Sequence, residues 1–324
     1  KNVALNWATQ KNRPAPDGWI TLGAVRTILQ ATPPTPLLED FDVPAGYEVP
    51  DATFHAEFLE DAIASSGKTL VLKGPPGRGK STYLSALRED LAERGVPTIR
   101  HHYFLSTTER ARDRVHCHVV EQSIQAQVKD LYPDVPNMGG GLRALLEACA
   151  AHYKERGKPI VLILDGLDHV WRVNAGDKRP LDDLFSQVLP CPDNLVLLVG
   201  TQPVDDAQLP NDLLVAAPKS QWRELPAMSE DAVLSYLCKA IDEGRLSTNG
   251  ANSAAGVDEE VQRAATELRA RTNGHPLHVI YATAELEHGD RVLSKWNVEQ
   301  LKGDLTADAK TYYGSLWVTL PPSL

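Results

Sequence analysis

The chain has 324 residues, of which 42% are hydrophobic and 23% charged, and a formal net charge of -10. That is length for roughly two or three domains with sizeable cores, in the composition range of ordinary globular proteins. The acidic balance argues against a broad nucleic-acid or membrane surface, and no apolar run approaches the roughly 20 residues of a membrane span, so a nucleotide or protein partner is expected. Cys117, Cys149, Cys191 and Cys238 have no paired spacing, which predicts a reducing, cytoplasmic setting without a disulfide framework or zinc ribbon. The chain opens on Lys1 with no signal peptide and stops just after a helical pattern, as a piece cut from something longer would.

Residues 1–50 carry seven prolines and one short amphipathic stretch, Trp19 to Leu29, and read as a linker or the tail of an upstream effector domain. Phe54, Phe58, Leu59 and Ala62 recur at helical spacing and predict a helix before the first strand. The stretch Thr69 to Ala92, TLVLKGPPGRGKSTYLSALREDLA, then reads as buried strand, glycine-rich loop and helix. It fits the phosphate-binding pattern GxxxxGK[ST] at Gly74, Gly79, Lys80 and Ser81. In such a loop the backbone N–H groups converge with the positive end of the helix dipole on one point, where a phosphate chain docks. Gly74, Gly77, Gly79, Lys80, Ser81 and Thr82 are thus candidates for ATP or ADP binding. Lys80 would reach the β and γ phosphates, and the Ser81 hydroxyl would join the oxygen shell of Mg²⁺.

Val96 to Ser106 reads as a second strand and Asp113 to Leu131 as a long helix. His101, His102, His116 and His118 fall here, but a helix would aim His116 and His118 roughly 200° apart, and core or solvated histidines are expected rather than a metal site. After a glycine run at Gly139 to Gly141, Leu142 to Arg156 is a further helix. Ile160 to Leu164, flanked by Pro159 and by Asp165-Gly166, looks like a central parallel strand buried on both faces. Ligands bind at the C-terminal edge of such sheets, so Asp165 would hold Mg²⁺ through water and Asp168 would polarise an attacking water. The plainer alternatives are a turn-forming Asp165 and a helix-capping Asp168.

Asn194 to Val199 is a fourth strand, ending in Gly200, Thr201, Gln202 and Pro203, polar groups able to sense a γ-phosphate or simply to make a turn. Trp222 to Leu225 is a short fifth strand. The alternation predicts a doubly wound parallel-sheet α/β domain over residues 51–226. Beyond it the pattern is helical only, a lid domain over 227–305: a helix capped by Ser229 and running to Ile241, a mobile loop from Glu243 to Gly256, and a helix marked by Val257 to Leu268 that ends at Asn273-Gly274. Pro276 opens another helix, with Leu277, Ile280, Tyr281 and Ala284 on one face. A last helix, Thr306 to Leu320, would begin a truncated winged-helix region over 306–324.

Four ordered stretches, LKGPPGRGKST, VLILDGLDHV, LLVGTQP and NGHPLHVI, resemble the STAND class of P-loop NTPases, nearest its NACHT-like branch. The resemblance implies that Lys80 and Ser81 bind phosphates and Mg²⁺, that Asp165 holds the metal, that Asp168 supports hydrolysis, and that Pro276 packs near adenine. It implies a nucleotide-controlled switch in signalling that self-associates when a protein trigger binds; bacterial members include antiviral defence proteins of the AVAST type. The sequence departs from the family at Gln202, where an Arg is frequent, at His169, where an acidic residue is frequent, and at Asp51, where an Arg often follows Val-Pro. Slow or trigger-dependent hydrolysis would follow from the lost charge at Gln202. Two alternatives stay open: a remodelling ATPase of the AAA+ type, against which Gly166 after Asp165 speaks, and an ADP-binding scaffold that does not hydrolyse.

Overall fold

Short runs of Leu, Val and Ile bounded by Gly, Pro and Asp become the strands of one parallel sheet. The computed structural model describes residues 41–64, 67–104, 114–136, 140–174, 176–248, 259–288 and 292–301. The elements in order are α1 (Ala52–Ile63), β1 (Thr69–Lys73), α2 (Lys80–Glu93), β2 (Thr98–His102), α3 (Cys117–Leu131), α4 (Gly141–Lys154), β3 (Ile160–Asp165), α5 (Asp168–Val173), α6 (Arg179–Val188), β4 (Leu195–Thr201), α7 (Asn211–Ala216) and β5 (Arg223–Glu224). Helices α8 (Glu230–Asp242), α9 (Glu259–Thr272), α10 (Pro276–His288) and α11 (Lys295–Glu299) follow. The amphipathic stretch Trp19 to Leu29, the helix expected over Thr306 to Leu320 and residues Asp113 and Val257 lie outside the described residues.

The strand order is β2-β3-β4-β1-β5, all parallel. Alternation along each strand feeds two cores. Ile160, Leu162 and Leu164 of β3 pack with Leu142, Leu146 and Phe185 on one face, while Val161 and Ile163 pack with Leu84, Leu87 and Phe58 on the other. Each such fully buried aliphatic side chain stabilises the fold by roughly 1.5–3 kcal/mol relative to exposure. Helices therefore cover both faces of the sheet, the doubly wound arrangement.

β2 is the inner part of its predicted span and an edge strand made of Thr98, Ile99, Arg100, His101 and His102, all buried. Polar residues survive there because side chains from neighbouring segments satisfy the outer backbone edge. Tyr132 Oη receives the Thr98 N–H at 2.8 Å and donates to its carbonyl at 2.9 Å. The Gln127 amide does the same for Arg100, at 3.0 and 2.6 Å, and Arg114 Nη1 donates to the His102 carbonyl at 3.0 Å. Every second residue of the edge is thus closed by a side chain, which answers the exposure problem of edge strands.

The helical region has its own core, in which Val233, Leu237, Leu268, Val279, Ala282 and Leu286 meet. Ser229 caps α8, accepting the Ala232 N–H. Asn273 and Gly274, at φ 49° and 62°, end α9 in left-handed turns. Two expectations need correction. In α10 the buried face is His278, Val279, Ala282, Thr283 and Leu286 rather than Leu277, Ile280, Tyr281 and Ala284, because the apolar side of this helix is shared between its own core and a cavity described below. The start of the supposedly mobile loop is tied down: Leu246 is buried, Ser247 bridges to Val292, and Arg245 pairs with Glu243 and Glu287.

Candidate nucleotide site

The loop after β1 turns through Gly77 and Gly79, both in the left-handed region, and delivers α2 with Gly79 as a cap lacking any side-chain bond. The first-turn amides of α2 keep no side-chain acceptor, the condition for an anion site at a helix start. Lys80 is almost fully buried, and its Nζ donates to the carbonyls of Gly74 at 2.7 Å and Pro75 at 3.0 Å. Burial lowers the Lys80 pKa, with Asp165 and Asp168 pulling it back up and Arg172 and Arg78 adding to the depression. Lys80 therefore lies within electrostatic reach of both sequence-predicted carboxylates.

The register explains how they meet. β4 lies between β1 and β3, so Thr201 stands beside Lys73 at the root of the loop and Gly200 stands beside Asp165. Gly200 is small for a reason: a Cβ there would run into Asp165 Oδ1 and come within 2.8 Å of Leu84 Cδ1. Asp165 is 2% exposed. Its Oδ2 lies 3.2 Å from Nδ1 of the equally buried His102, directly opposite in the β2–β3 register. Desolvation pushes the Asp165 pKa up, but the bond and charge of His102, then Ser81 and Lys80, hold it below the ordinary carboxylate value. Oδ1 is buried without a hydrogen bond of good geometry, although the Ser81 hydroxyl is near enough to act on the carboxyl. An ionised carboxylate with an open oxygen beside a hydroxyl is a donor set that fits Mg²⁺.

Asp168 opens α5 but is not its cap; Leu167 holds that position. Its carboxylate instead turns inward, 2% exposed, accepting the Gln202 N–H at 3.3 Å through Oδ1 and facing Arg172 Nη1 at 3.2 Å through Oδ2. Arg172 Nη2 donates in turn to Gln202 Oε1 at 2.7 Å. His169 stacks on Phe104 at 4.6 Å; burial lowers its pKa, with Asp168 opposing that shift. Asp51, another departure from the family pattern, caps α1 by accepting the Phe54 N–H at 2.7 Å.

Pro276 lies in the wall of a 280 Å³ cavity that the phosphate loop also lines, at Gly77, Arg78 and Gly79. Gly77 and Thr82 form one wall, Pro44 and Tyr47 another, and Pro276 and Ile280 a third. The segment 44–50 is strapped to α8 by the Ser229 N–H to Pro50 bond of 2.7 Å, by Ser235 to Glu48 at 2.9 Å and by the Lys239–Glu48 ion pair. At Gly77 a Cβ would meet Leu277 Cδ1 at 2.9 Å and His275 Cε1 at 3.2 Å, so α10 presses on the loop itself. Burial, reinforced by His278 and Arg78, lowers the His275 pKa to about 4, leaving the ring neutral at pH 7.

The loop geometry, the parallel sheet and the carboxylate edge define a P-loop NTPase. Within that class a NACHT domain matches residues 68–243, more than half of the chain, and the chain belongs to the NACHT family. No curated protein matches it. A Walker-type ATPase of Pyrococcus abyssi superposes with a TM-score of 0.50 at 16% identity, over 81% of this chain and 73% of that one, and shares the fold. Cdc6p of Pyrobaculum aerophilum gives 0.46 at 16% identity over 86% and 72%, and the ORC2 protein of Aeropyrum pernix 0.44 at 14% over 80% and 69%.

Of the predicted residues, the loop, Asp165 and Asp168 are brought to one sheet edge and Pro276 to the adjoining cavity. Sequence reasoning gave no site role to Arg172 or Tyr47, took His102 as a core or solvated histidine, and read Gly200 only as part of the polar strand end. His102 was legible as the last residue of the strand paired with β3; the others show only once the chain is folded. The helical angle given to His116 and His118 also needs correction, since His116 is an extended cap outside α3 and the two rings stack at 5.7 Å. Among the described residues no cluster of three or more His, Cys, Asp or Glu is arranged to hold a metal, and no helix is long and apolar enough to cross a membrane.

Proposed function

We propose that this chain binds ATP or ADP with Mg²⁺ and works as a nucleotide-controlled conformational switch with slow hydrolysis. The cavity carries the reading: one ligand seated there would touch the phosphate loop, the 44–50 strap and helices α8 and α10 together. Such bridging biases the relative position of the two regions only as far as the ligand's contacts differ between their arrangements. An apolar cavity beside the loop suits a nucleobase, with the phosphates running over Gly77 and Gly79 toward Lys80. Ser81 and Asp165 would hold Mg²⁺, which when bound neutralises phosphate charge and fixes the phosphate oxygens. Asp168 would orient the water whose oxygen bonds to the γ-phosphorus as the bond to the bridging oxygen breaks.

Asp168 is paired with Arg172 before nucleotide binds, so hydrolysis requires that this pair first open. Domain limits at 51–226 and 227–305, with an upstream linker and a winged-helix start beyond, belong to the same proposal. So do trigger-dependent self-association, a role in signalling or antiviral defence and a cytoplasmic location. Calorimetry on Lys80→Ala is the first test: loss of ATP and ADP binding is expected, and unchanged binding sinks the reading. Asp165→Ala and Asp168→Ala should lose turnover while keeping part of the binding; wild-type turnover in both would remove those roles.

A further inference from the structure

Phosphoryl transfer concentrates negative charge on the γ-phosphate oxygens, and enzymes of this kind meet it with a positioned cation. The end of β4, the element that separates the loop from Asp165, supplies Thr201 and Gln202 there, neither of them charged. A cation is nevertheless present, delivered from a different element. Arg172 stands one helical turn after Asp168 on α5, and its guanidinium spans the gap to β4 by donating to Gln202 Oε1 at 2.7 Å. Its second nitrogen faces Asp168 Oδ2 at 3.2 Å. The Arg172 side chain is 42% exposed whereas Asp168 is 2% exposed, so the carboxylate is fixed and the arginine free to change partners. The Trp171 ring lies 5.7 Å from the guanidinium carbon and offers a surface along which it can slide. Arg172 is also close enough to Lys80 for its charge to be felt there.

We infer that Arg172 is the γ-phosphate sensor of this chain, held by Asp168 and Gln202 and exchanging the Asp168 carboxylate for γ-phosphate oxygens when ATP is bound. The inference rests on the ATP-binding reading above and sharpens it. Gln202 acts as the hinge: its amide carbonyl keeps one nitrogen of Arg172 while the other swings. The exchange couples two events. Without a γ-phosphate the arginine neutralises Asp168; with one, Asp168 is released and can hydrogen-bond a water. ADP lacks the anion that competes for the guanidinium and leaves the pair closed. A planar donor fork that bonds phosphate and a side-chain carbonyl together is chemistry particular to arginine.

The test measures ATP and ADP affinity by calorimetry, with single-turnover hydrolysis, in the wild type, Arg172→Ala, Arg172→Lys and Lys80→Ala. Loss of a charge-assisted bond to phosphate predicts that Arg172→Ala weakens ATP by about ten- to a hundredfold while ADP affinity holds within about twofold. Arg172→Lys should recover part of the ATP preference and little of the turnover, an outcome that a purely structural role would not give. An unchanged ATP-to-ADP ratio in Arg172→Ala, or equal loss of both nucleotides, overturns the assignment. Lys80→Ala separates the two levels: if it abolishes binding while Arg172→Ala changes nothing, the nucleotide site stands and the sensor falls. If Lys80→Ala binds as the wild type does, the site itself falls.

Discussion

The carboxylate edge and the cavity beside it are built on different principles. At the edge, Asp165, Gly200, His102 and Thr201 are fixed by the register of adjacent parallel strands, each beside its neighbour by the pairing of backbones. The cavity is assembled from the 44–50 strap, the phosphate loop and helices α8 and α10, held together by a few hydrogen bonds and one ion pair. On the proposed reading, the chemistry that tolerates little displacement falls on the register-fixed half and recognition on the half held by fewer bonds, the pairing that a switch would use.

If the edge is rigid, adding one methyl there should cost more than refilling the cavity. Gly200→Ala forces Asp165 and Leu84 apart, and overpacking of this kind costs about 1–3 kcal/mol, readable in urea unfolding, together with loss of turnover. His102→Ala leaves Asp165 without its buried partner. Outer partners of metal-binding carboxylates contribute about ten- to a hundredfold in metal affinity, so Mg²⁺ titration of nucleotide binding should shift by that much. On the cavity side, Ile280→Trp should weaken ATP by about tenfold through its base while leaving inorganic triphosphate binding untouched. Equal loss of both ligands would mean that the cavity and the loop are not separable.

A further effect concerns pH. His275 has a folded pKa of about 4 against the usual 6.5, so the native state takes up its proton later than the unfolded chain does. Its contribution is fully present above pH 6.5 and is lost as pH falls toward 4. His275→Gln should flatten that part of the stability profile; an unchanged slope would show that the ring is solvated.

Much of this was legible from the sequence because strand and loop chemistry is local. The phosphate loop, the apolar run before Asp165 and the Ser229 cap each carry their signal within a few neighbouring residues. Helix α6 could have been read as well, since Leu181, Leu184, Phe185 and Val188 recur at helical spacing behind Pro180, yet the Asp, Ser and Gln residues between them hid the pattern. Partners across the fold were beyond reach. Nothing near Arg172 announces that it will meet Gln202, and no periodicity shows that α10 divides its apolar surface between a core and a cavity. Gly200 looked like the start of a turn because its reason for being glycine lies on another strand.

The side chains that close β2 have one more consequence. Thr98, Arg100 and His102 have their outward backbone groups taken by Tyr132, Gln127 and Arg114, so this rim offers no free ladder to a foreign strand. The sheet cannot grow sideways there from one copy of the chain into the next. A multimer joined on this side of the domain would have to be cemented through helices and loops rather than through a continuous ribbon of strands.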